Sequence, residues 1–468
     1  MAGIIDNIMF HLPYAARCAF ASLYGYRNRL QRYGKNFKKQ LREFESHLTM
    51  TSEEMSSLQE EKFRHLLLQC LDHSPYYARI FHSLGMNGDM IRSSTDPIKD
   101  FLPELPFLTK KTLRENITEL HHTSLNTVCK GYTSGTTGTP LAVEWDKKSL
   151  EANFVLLNRY YRMIGLPSRF KTARFSGRII VHPQTKKPPF WVLNFPERQL
   201  FMSTYHMSNV NLPYYVSKLN AFRPHLLEGY PSALHILARY MLDRDVRLDY
   251  TPTAVSTTAE TLGEQQAEDI KQAFRCSLYD QYASSEGSPF ISQCRYGHYH
   301  VHTDTGIIET LDKTKIDTDL YKAEMVVTSF RNLKTPLIRY RIGDSVLVKE
   351  EEILCSCGLP FPIVFGIFGR NDDILFTRER GYVGRLGTSF KGLHGIVCAK
   401  IVQTDMDHVV LYLVPGKSYH DEIGEQLLHN LHDRLGSDIE IVLNLVDQLP
   451  MNKNGKIKTV ERLFEIKP

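Results

Sequence analysis

The stretch Tyr132-Thr133-Ser134-Gly135-Thr136-Thr137-Gly138-Thr139-Pro140 decides how the rest of the chain is interpreted. Hydroxyl side chains alternate in it with glycines, and Gly135 and Gly138 can take backbone angles that are closed to other residues. Main-chain N–H groups can therefore approach an anion closely, and Ser134, Thr136 and Thr137 add hydroxyl donors. No Gly-Lys-Ser/Thr follows, so this is not a Walker loop. The stretch predicts a cradle for the β- and γ-phosphates of a nucleotide, with a plain polar turn as the alternative.

Length and composition indicate a globular protein of two or three units. The chain has 468 residues, of which 42% are apolar and 23% charged, as is ordinary for such proteins. A formal net charge of +5 is small for this length and does not suggest a dedicated nucleic-acid binder. No apolar run approaches the roughly 20 residues that span a bilayer, and no export signal opens the chain, so we expect a cytoplasmic location.

The pattern of apolar residues predicts an α/β fold. Residues 52–85 have the apolar spacing of a helix. From about 127 to 345, short β-like runs alternate with helical patterns, which favours a mixed sheet with helices. The strand-like runs are Ala173–Val181, Thr253–Ser256 and Met325–Ser329, and the helix-like runs are 210–221 and 231–243. Residues 375–468 repeat the alternation on a smaller scale and predict a compact α+β domain.

The glycine-rich stretch resembles the phosphate loop of the adenylate-forming superfamily, which includes acyl- and aryl-CoA ligases, luciferases and peptide-synthetase adenylation domains. The family loop often has Lys where this chain has Thr139. Four further stretches resemble superfamily motifs in the expected order: Tyr282-Ala283-Ser284-Ser285-Glu286-Gly287, Tyr340-Arg341-Ile342-Gly343-Asp344, Gly369-Arg370-Asn371-Asp372-Asp373 and Pro450-Met451-Asn452-Lys453-Asn454-Gly455-Lys456. The resemblance implies an enzyme that joins a carboxylic acid to AMP and then passes the acyl group to an acceptor.

The resemblance assigns roles around the nucleotide base and phosphates. A carboxylate near the triphosphate holds Mg²⁺, which neutralises charge on the leaving pyrophosphate, and Glu286 fits that role. Tyr282 would stack on adenine and Ser285 would contact a phosphate. Thr258 and Glu260, in a segment with Thr in place of the family's Gly, would lie on the adenine side.

The later motifs supply residues for the ribose and for catalysis. Asp344 would accept both ribose hydroxyls, and Arg370 would also reach the ribose. Asp372 would act as a hinge. Lys456 is the candidate that stabilises the reacting carboxylate and α-phosphate in the transition state, with Lys458 as the weaker candidate.

Other segments narrow the resemblance to one branch. Pro75-Tyr76-Tyr77, Leu105–Lys110 and Glu228–Ser232 resemble phenylacetate–CoA ligases, whereas Leu23–Tyr26 and Phe390–Leu393 resemble relatives in capsular polysaccharide biosynthesis. The implied architecture is the ANL-type fold of this superfamily. It has a large N-terminal adenylation domain over residues 1–371, helical to about residue 90, and a small mobile C-terminal domain over 372–468.

A set of cysteine and histidine residues predicts a structural zinc site. Cys355 and Cys357 can share a metal, and Cys294 with His300 would complete four protein ligands and leave no open position. Related ligases carry a similar arrangement. His298 or His302 are alternatives to His300, and separate buried thiols are the alternative to a site.

The acyl acceptor and the N-terminal region are left open. Coenzyme A is the default acceptor of the branch, an amine or hydroxyl of a sugar, amino acid or glycan is the alternative, and a non-catalytic nucleotide-binding protein is a third possibility. The acid is expected to bind near residues 175–260. A basic stretch indicates either a solvated helix face or contact with a membrane surface or acidic partner: Arg27, Arg29, Arg32, Lys35, Lys38, Lys39 and Arg42.

Overall fold

A computed structural model describes residues 12–132, 142–182, 184–351, 353, 355–368, 375–378, 381–383, 386–390, 393, 395–450 and 458–464. The chain forms two compact units. One comprises Met1–Tyr26, Gly165–Asp280 and Gly369–Pro468, and the other comprises Arg27–Ile164 and Gln281–Phe368. The predicted domain boundary at 371/372 falls among residues 369–374, outside the described residues, so that division stays a prediction.

The described elements alternate between helices and strands, as the sequence predicts. The helices are α1 Tyr14–Arg32, α2 Phe37–Ser46, α3 Ser52–His73, α4 Pro75–Ser83, α5 Gly88–Ser93, α6 Pro97–Phe101, α7 Lys110–Glu115, α8 Ile117–Leu120, α9 Lys147–Met163, α10 Leu212–Phe222, α11 Pro231–Asp243, α12 Glu264–Phe274 and α13 Asp421–Leu435. In the part of the chain that the structure describes, none of these helices combines the length and apolar content needed to cross a bilayer.

The strands follow the same chain order. They are β1 Cys129–Tyr132, β2 Ala142–Trp145, β3 Thr172–Ser176, β4 Trp191–Asn194, β5 Gln199–Ser203, β6 Leu226–Gly229, β7 Ala254–Thr258, β8 Ser277–Tyr282, β9 Ile291–Gln293, β10 Tyr299–Val301, β11 Gly306–Lys315, β12 Leu320–Ser329, β13 Tyr340–Lys349, β14 Ile363–Val364, β15 Gly366–Phe368, β16 Leu375–Thr377, β17 Gly381–Val383, β18 Ile396–Gln403, β19 His408–Pro415, β20 Glu440–Leu445 and β21 Val460–Arg462.

The first unit contains a mainly parallel sheet with helices packed against it. Strands β5, β3, β6 and β7 are parallel neighbours in that order, and β4 pairs with β5 in the antiparallel sense. Leu227 on β6 pairs with Ala173 on one side and Val255 on the other, and all three are fully buried. Because parallel strands are covered on both faces, their apolar residues run without alternation.

The predicted strand Ala173–Val181 is shorter than expected. Strand β3 ends at Ser176, and Ile180 and Val181 are buried instead in a cluster with Cys18 of α1. An apolar run therefore marks burial here but does not distinguish strand pairing from packing against a helix.

The C-terminal part of the first unit is the predicted α+β arrangement. Strand order is β20-β19-β18-β21, with β18 and β19 antiparallel and both outer pairings parallel. The apolar side of α13, which includes Leu427 and Leu431, shares a buried core with Leu411 of β19. A spacing of four residues places both leucines on one face of the helix.

The second unit contains two helices where the sequence predicts one over residues 52–85. Thr51 and Glu54 form a reciprocal capping box that starts α3. The helix ends before Pro75, which has no backbone N–H, and the same proline then occupies the first turn of α4. Phe63 and Phe81, one from each helix, are fully buried in a common core. Burial of each stabilises the unit by roughly 2 kcal/mol.

That core lies against the sheet β11-β12-β13-β15, whose strands are antiparallel neighbours. Strand β13 contains an irregularity, because Val326 pairs with Arg341 whereas Glu324 pairs with Ser345. Three residues of β13 therefore face one residue of β12, and Gly343 within this bulge has a φ of +84°. Bulges re-aim side chains, and this one presents Asp344 at the place where the strand is irregular.

Candidate nucleotide site and Cys/His cluster

The predicted phosphate loop connects the two strands of a hairpin in the second unit. Strands β1 and β2 are antiparallel, and Tyr132 pairs with Ala142 at the point where the loop leaves and returns. Residues 133–141, and with them Thr133, Ser134, Gly135, Thr136, Thr137 and Gly138, lie outside the described residues. Because Tyr132 and Ala142 are paired, the residues that flank the loop on its two sides lie next to each other.

The turn that carries Glu286 lies beside this hairpin. A Cβ added to Gly131 of β1 would be 3.5 Å from the backbone oxygen of Ser285, and one added to Gly287 would be 2.9 Å from the Trp145 ring of β2. Gly287 also has a φ of +87°, so both its backbone angle and the close approach of Trp145 favour glycine. Glu286 between them is 4% exposed. The stem of the phosphate loop and the turn that contains the predicted magnesium-binding residue are therefore packed together.

Hydrogen bonds fix the shape of this turn. The N–H of Ser288 donates to Ser284 Oγ at 3.1 Å, and the hydroxyl of Ser329 donates to the carbonyl oxygen of Gly287. The guanidinium of Arg331 donates to the carbonyl oxygen of Ser288 at 2.8 Å. These bonds hold the backbone that carries Glu286 in a defined turn.

Tyr282 and Asp344, from two separate motifs, are in direct contact. The Tyr282 hydroxyl donates to Asp344 Oδ2 at 2.6 Å. Desolvation and the nearby carboxylates of Asp344 and Glu286 hold the pKa of Tyr282 well above its usual value. The phenol therefore stays protonated and donates to Asp344, and the pair links the predicted adenine and ribose contacts.

Arg341, which precedes Asp344 in the same motif, points to other partners. Its guanidinium pairs with Glu324 on the neighbouring strand and lies 3.1 Å from Asp312. The hydrogen bonds to Glu324 raise the pKa of Arg341. This arginine therefore has a structural role in holding β12 and β13 together.

Thr258 and Glu260 belong to the first unit. Thr258 is the last residue of β7, and Ala259 follows with a φ of +70°. The Glu260 carboxylate accepts the N–H of Ser232 at 3.1 Å, in the first turn of α11. A carboxylate at a helix N-terminus stabilises the helix, so the structure gives Glu260 a capping contact. The predicted adenine-side role of this segment stays a prediction.

The predicted hinge and catalytic lysine are not described. Arg370 and Asp372 fall among residues 369–374 and Lys456 among residues 451–457. Lys458, the weaker candidate, is described, and its Nζ lies 3.7 Å from Glu461.

The predicted zinc ligands are brought together. One ligand atom each from Cys294, His300, Cys355 and Cys357 lies within 4.8 Å of the other three. The Cys294 and Cys355 sulfurs are 3.7 Å apart, and His300 Nε2 is 3.3 Å from Cys357 Sγ. Zn–S bonds of about 2.3 Å in a tetrahedral site place two sulfurs roughly 3.8 Å apart, so these side chains fit the ion.

Local contacts orient these ligands. His300 Nδ1 lies 2.9 Å from the Phe361 carbonyl oxygen, which can only accept, so the proton is on Nδ1 and Nε2 faces the cysteines as a lone pair. The N–H groups of Cys357 and Leu359 point at the sulfurs of Cys355 and Cys357. Burial raises the pKa of the Cys355 thiol, but hydrogen bonds from His298 and Cys357 outweigh it and lower the pKa to about 6.

The two alternative histidines differ in position. His302 is fully buried, accepts a hydrogen bond from Arg159 at 2.8 Å and contacts Ser292 through its other nitrogen. Both ring nitrogens of His302 therefore have partners outside the Cys/His cluster. His298 is exposed and lies 3.1 Å from Cys355 Sγ, at the edge of the cluster.

Sequence reasoning missed Trp145. This residue is 7% exposed and packs on the Glu286 turn, as described above. Trp145 closely follows the glycine-rich loop in the sequence, but nothing near it in the sequence indicates that it packs on this turn.

The chain is similar to known proteins along most of its length. Residues 375–462 match the family model of the CapK C-terminal domain. The chain is 30% identical over 457 residues to Protein CapK of Staphylococcus aureus, which covers 97% of this chain and 98% of that protein. It is 23% identical over 459 residues to phenylacetate-coenzyme A ligase of Thermus thermophilus, covering 88% and 97%.

Solved structures show the same fold. The structure of 2-hydroxyisobutyryl-CoA ligase in the postadenylation state has a TM-score of 0.68 at 18% identity, covering 89% of this chain and 91% of that one. The fold is thus that of the adenylate-forming superfamily, which confirms the predicted α/β fold of the ANL type. Within that superfamily, the chain belongs to the CapK family.

Proposed function

We propose that the protein activates a carboxylic acid with ATP, forming an acyl-adenylate and pyrophosphate, and then transfers the acyl group to an acceptor. The packing of Trp145 on Gly287 carries the proposal, because it sets the stem of the phosphate loop against the turn that contains Glu286. The hydrogen bond between Tyr282 and Asp344 supports it from the nucleoside side. One relative, the Thermus thermophilus protein named phenylacetate-coenzyme A ligase, agrees with this activity.

Each predicted site residue has a role in this reaction. Thr133–Gly138 would bind the β- and γ-phosphates, Ser285 a phosphate, and Asp344 with Arg370 the ribose. Glu286 would hold Mg²⁺, since a hard cation prefers carboxylate oxygen, and the bound ion would neutralise charge on pyrophosphate. The substrate carboxylate attacks the α-phosphorus in line and pyrophosphate leaves. Lys456 would stabilise the developing charge before the small C-terminal domain turns about Asp372.

The acceptor has two candidates. Coenzyme A is the default, and the Thermus thermophilus relative, a phenylacetate-coenzyme A ligase, supports it. The identity to Protein CapK is higher over nearly the whole chain, which keeps an amine or hydroxyl acceptor open. The cytoplasm stays the predicted location.

A pyrophosphate-release screen over aryl, fatty, amino and sugar acids tests the first half-reaction. We expect at least one acid to stimulate release, and inclusion of coenzyme A or of amines then separates the acceptors by the product formed. ATP binding without release from any acid would favour the non-catalytic nucleotide-binding alternative.

The Cys/His cluster is proposed to hold a structural zinc ion through Cys294, His300, Cys355 and Cys357. All four positions are filled by protein side chains, which is typical of a site with no exchangeable ligand. Metal analysis of the purified protein should give one zinc per chain. Its absence after expression with added zinc would contradict the assignment.

A further inference from the structure

Helix α1 has one face that is packed in the first unit. Cys18 is 7% exposed and clusters with Ile180, Val181 and Val192. The N–H of Leu193 points at the Cys18 sulfur at 3.4 Å. This packing buries one apolar face of the helix.

Gly25 makes the contact close. A Cβ added at Gly25 would lie 2.1 Å from Asn194 Oδ1, so a larger residue here would have to displace the Asn194 side chain of strand β4. This face of α1 is therefore packed closely against the first unit, and the opposite face is left towards solvent.

That opposite face is apolar. Phe20, Leu23 and Tyr24 are 42%, 70% and 47% exposed, and their spacing of three and four residues places them together on the helix. Phe195, which is 68% exposed, adjoins the same helix through its N–H, which donates to Ser22 Oγ at 3.2 Å. A helix with apolar residues on both faces is normally covered on both, and an exposed apolar patch marks an interaction site.

The sequence around this face is basic. Helix α1 contains four arginines and no aspartate or glutamate, whereas the whole chain has a net charge of only +5. Arg17 is buried, which leaves Arg27, Arg29 and Arg32 in the helix turns that follow the apolar face. Attraction between a basic segment and an anionic surface acts over about 10 Å at ordinary ionic strength and needs no fixed side-chain arrangement.

We propose that the face formed by Phe20, Leu23 and Tyr24 docks on the surface of a lipid bilayer that contains anionic lipid. Aromatic and leucine side chains bury readily at the level of the headgroups, and the basic segment supplies the charge that matches phosphate. A second copy of the chain or an acidic protein would cover the apolar face without requiring lipid. This membrane contact is independent of the adenylation chemistry.

Vesicle co-sedimentation tests the proposal with the full chain. The probes are vesicles of phosphatidylcholine alone and vesicles with equal parts of phosphatidylcholine and phosphatidylglycerol. We expect binding to the anionic vesicles, weaker binding as salt is raised, and a partition coefficient roughly tenfold lower for Leu23→Ser. Val210→Ser is the matched control, because Val210 is 80% exposed in the same unit but outside the face.

The outcomes separate the possible partners. Wild-type protein that stays in the supernatant with both vesicle types, or Leu23→Ser that binds as well as wild type, overturns the proposal. A change in the mass of the Leu23→Ser protein in solution without vesicles would show that a second copy covers the face, and this also overturns it.

Discussion

The Cys/His cluster lies in the same unit as Tyr282, Glu286 and Asp344, but the two regions are assembled in different ways. The cluster is formed by two short segments, 294–300 and 355–357, and one ligand atom from each of its four residues lies within 4.8 Å of the other three. The nucleotide motifs bring together Tyr282, Glu286 and Asp344 with a hairpin more than a hundred residues earlier in the chain. The cluster is thus a set of four possible ligands close together, whereas the nucleotide region depends on long-range packing between separate segments. Changes in one should therefore leave the other intact.

The largest effect is expected from Lys456→Ala. Loss of a charge that acts on the transition state should lower carboxylate-dependent pyrophosphate release by roughly 10²- to 10³-fold. ATP binding and zinc content should not change, since both depend on other residues. Lys458→Ala is the matched control, and an equal loss in that variant would move the catalytic role away from Lys456.

Cys357→Ser tests the independence of the two regions by changing the Cys/His cluster and leaving the nucleotide motifs intact. Removing one ligand should abolish zinc binding and lower the free energy of unfolding by about 3 kcal/mol. Below the unfolding temperature, pyrophosphate release should remain. Cys276→Ser is the control, because this thiol lies outside the cluster. Full zinc content in Cys357→Ser would contradict the assigned ligand set.

Gly287→Ala should damage the nucleotide region through its packing. The φ of +87° alone costs about 1 kcal/mol for alanine, and the contact with Trp145 adds to it. We expect thermal unfolding at a lower temperature together with slower pyrophosphate release. Gly85→Ala is the control, because Gly85 has a φ of +70° and no heavy atom near an added Cβ. Equal effects in both variants would remove any special role for Trp145.

Tyr282→Phe should have the smallest effect. The variant loses only the hydroxyl that donates to Asp344, which costs about 1 kcal/mol. We therefore expect roughly a fivefold rise in the KM for ATP with an unchanged kcat. A fall in kcat at an unchanged KM would mean that the phenol acts in the chemical step.

Helices and strands were predicted well where residues that are close together in the sequence determine them. The helix-like run 231–243 is α11 with the same bounds, and the alternation predicted over residues 375–468 is present as strands β18, β19 and β20 with helix α13 between β19 and β20. One helix was expected over residues 52–85, but it is divided at Pro75, because proline is unfavourable inside a helix and is accepted in the first turn of a new one. Only the packing of Tyr77 and Phe81 in the core decides between these outcomes.

The candidate site was predictable as a set of motifs but not as a geometry. The Cys-x-Cys pair and its partners could be chosen from spacing, whereas the choice among His298, His300 and His302 needed the contacts of each ring. Trp145 could not be assigned from sequence, because its role depends on a turn about 140 residues away coming within reach. Long-range packing has no local signal.

Carboxylate-dependent exchange of labelled pyrophosphate into ATP, measured for wild type and Glu286→Gln, tests the central claim most directly. Exchange requires reversible formation of the acyl-adenylate and does not depend on the acceptor. We predict exchange in the wild type with an active acid and a loss of roughly 10²-fold in Glu286→Gln at limiting Mg²⁺. Exchange of equal rate in both proteins would contradict the account.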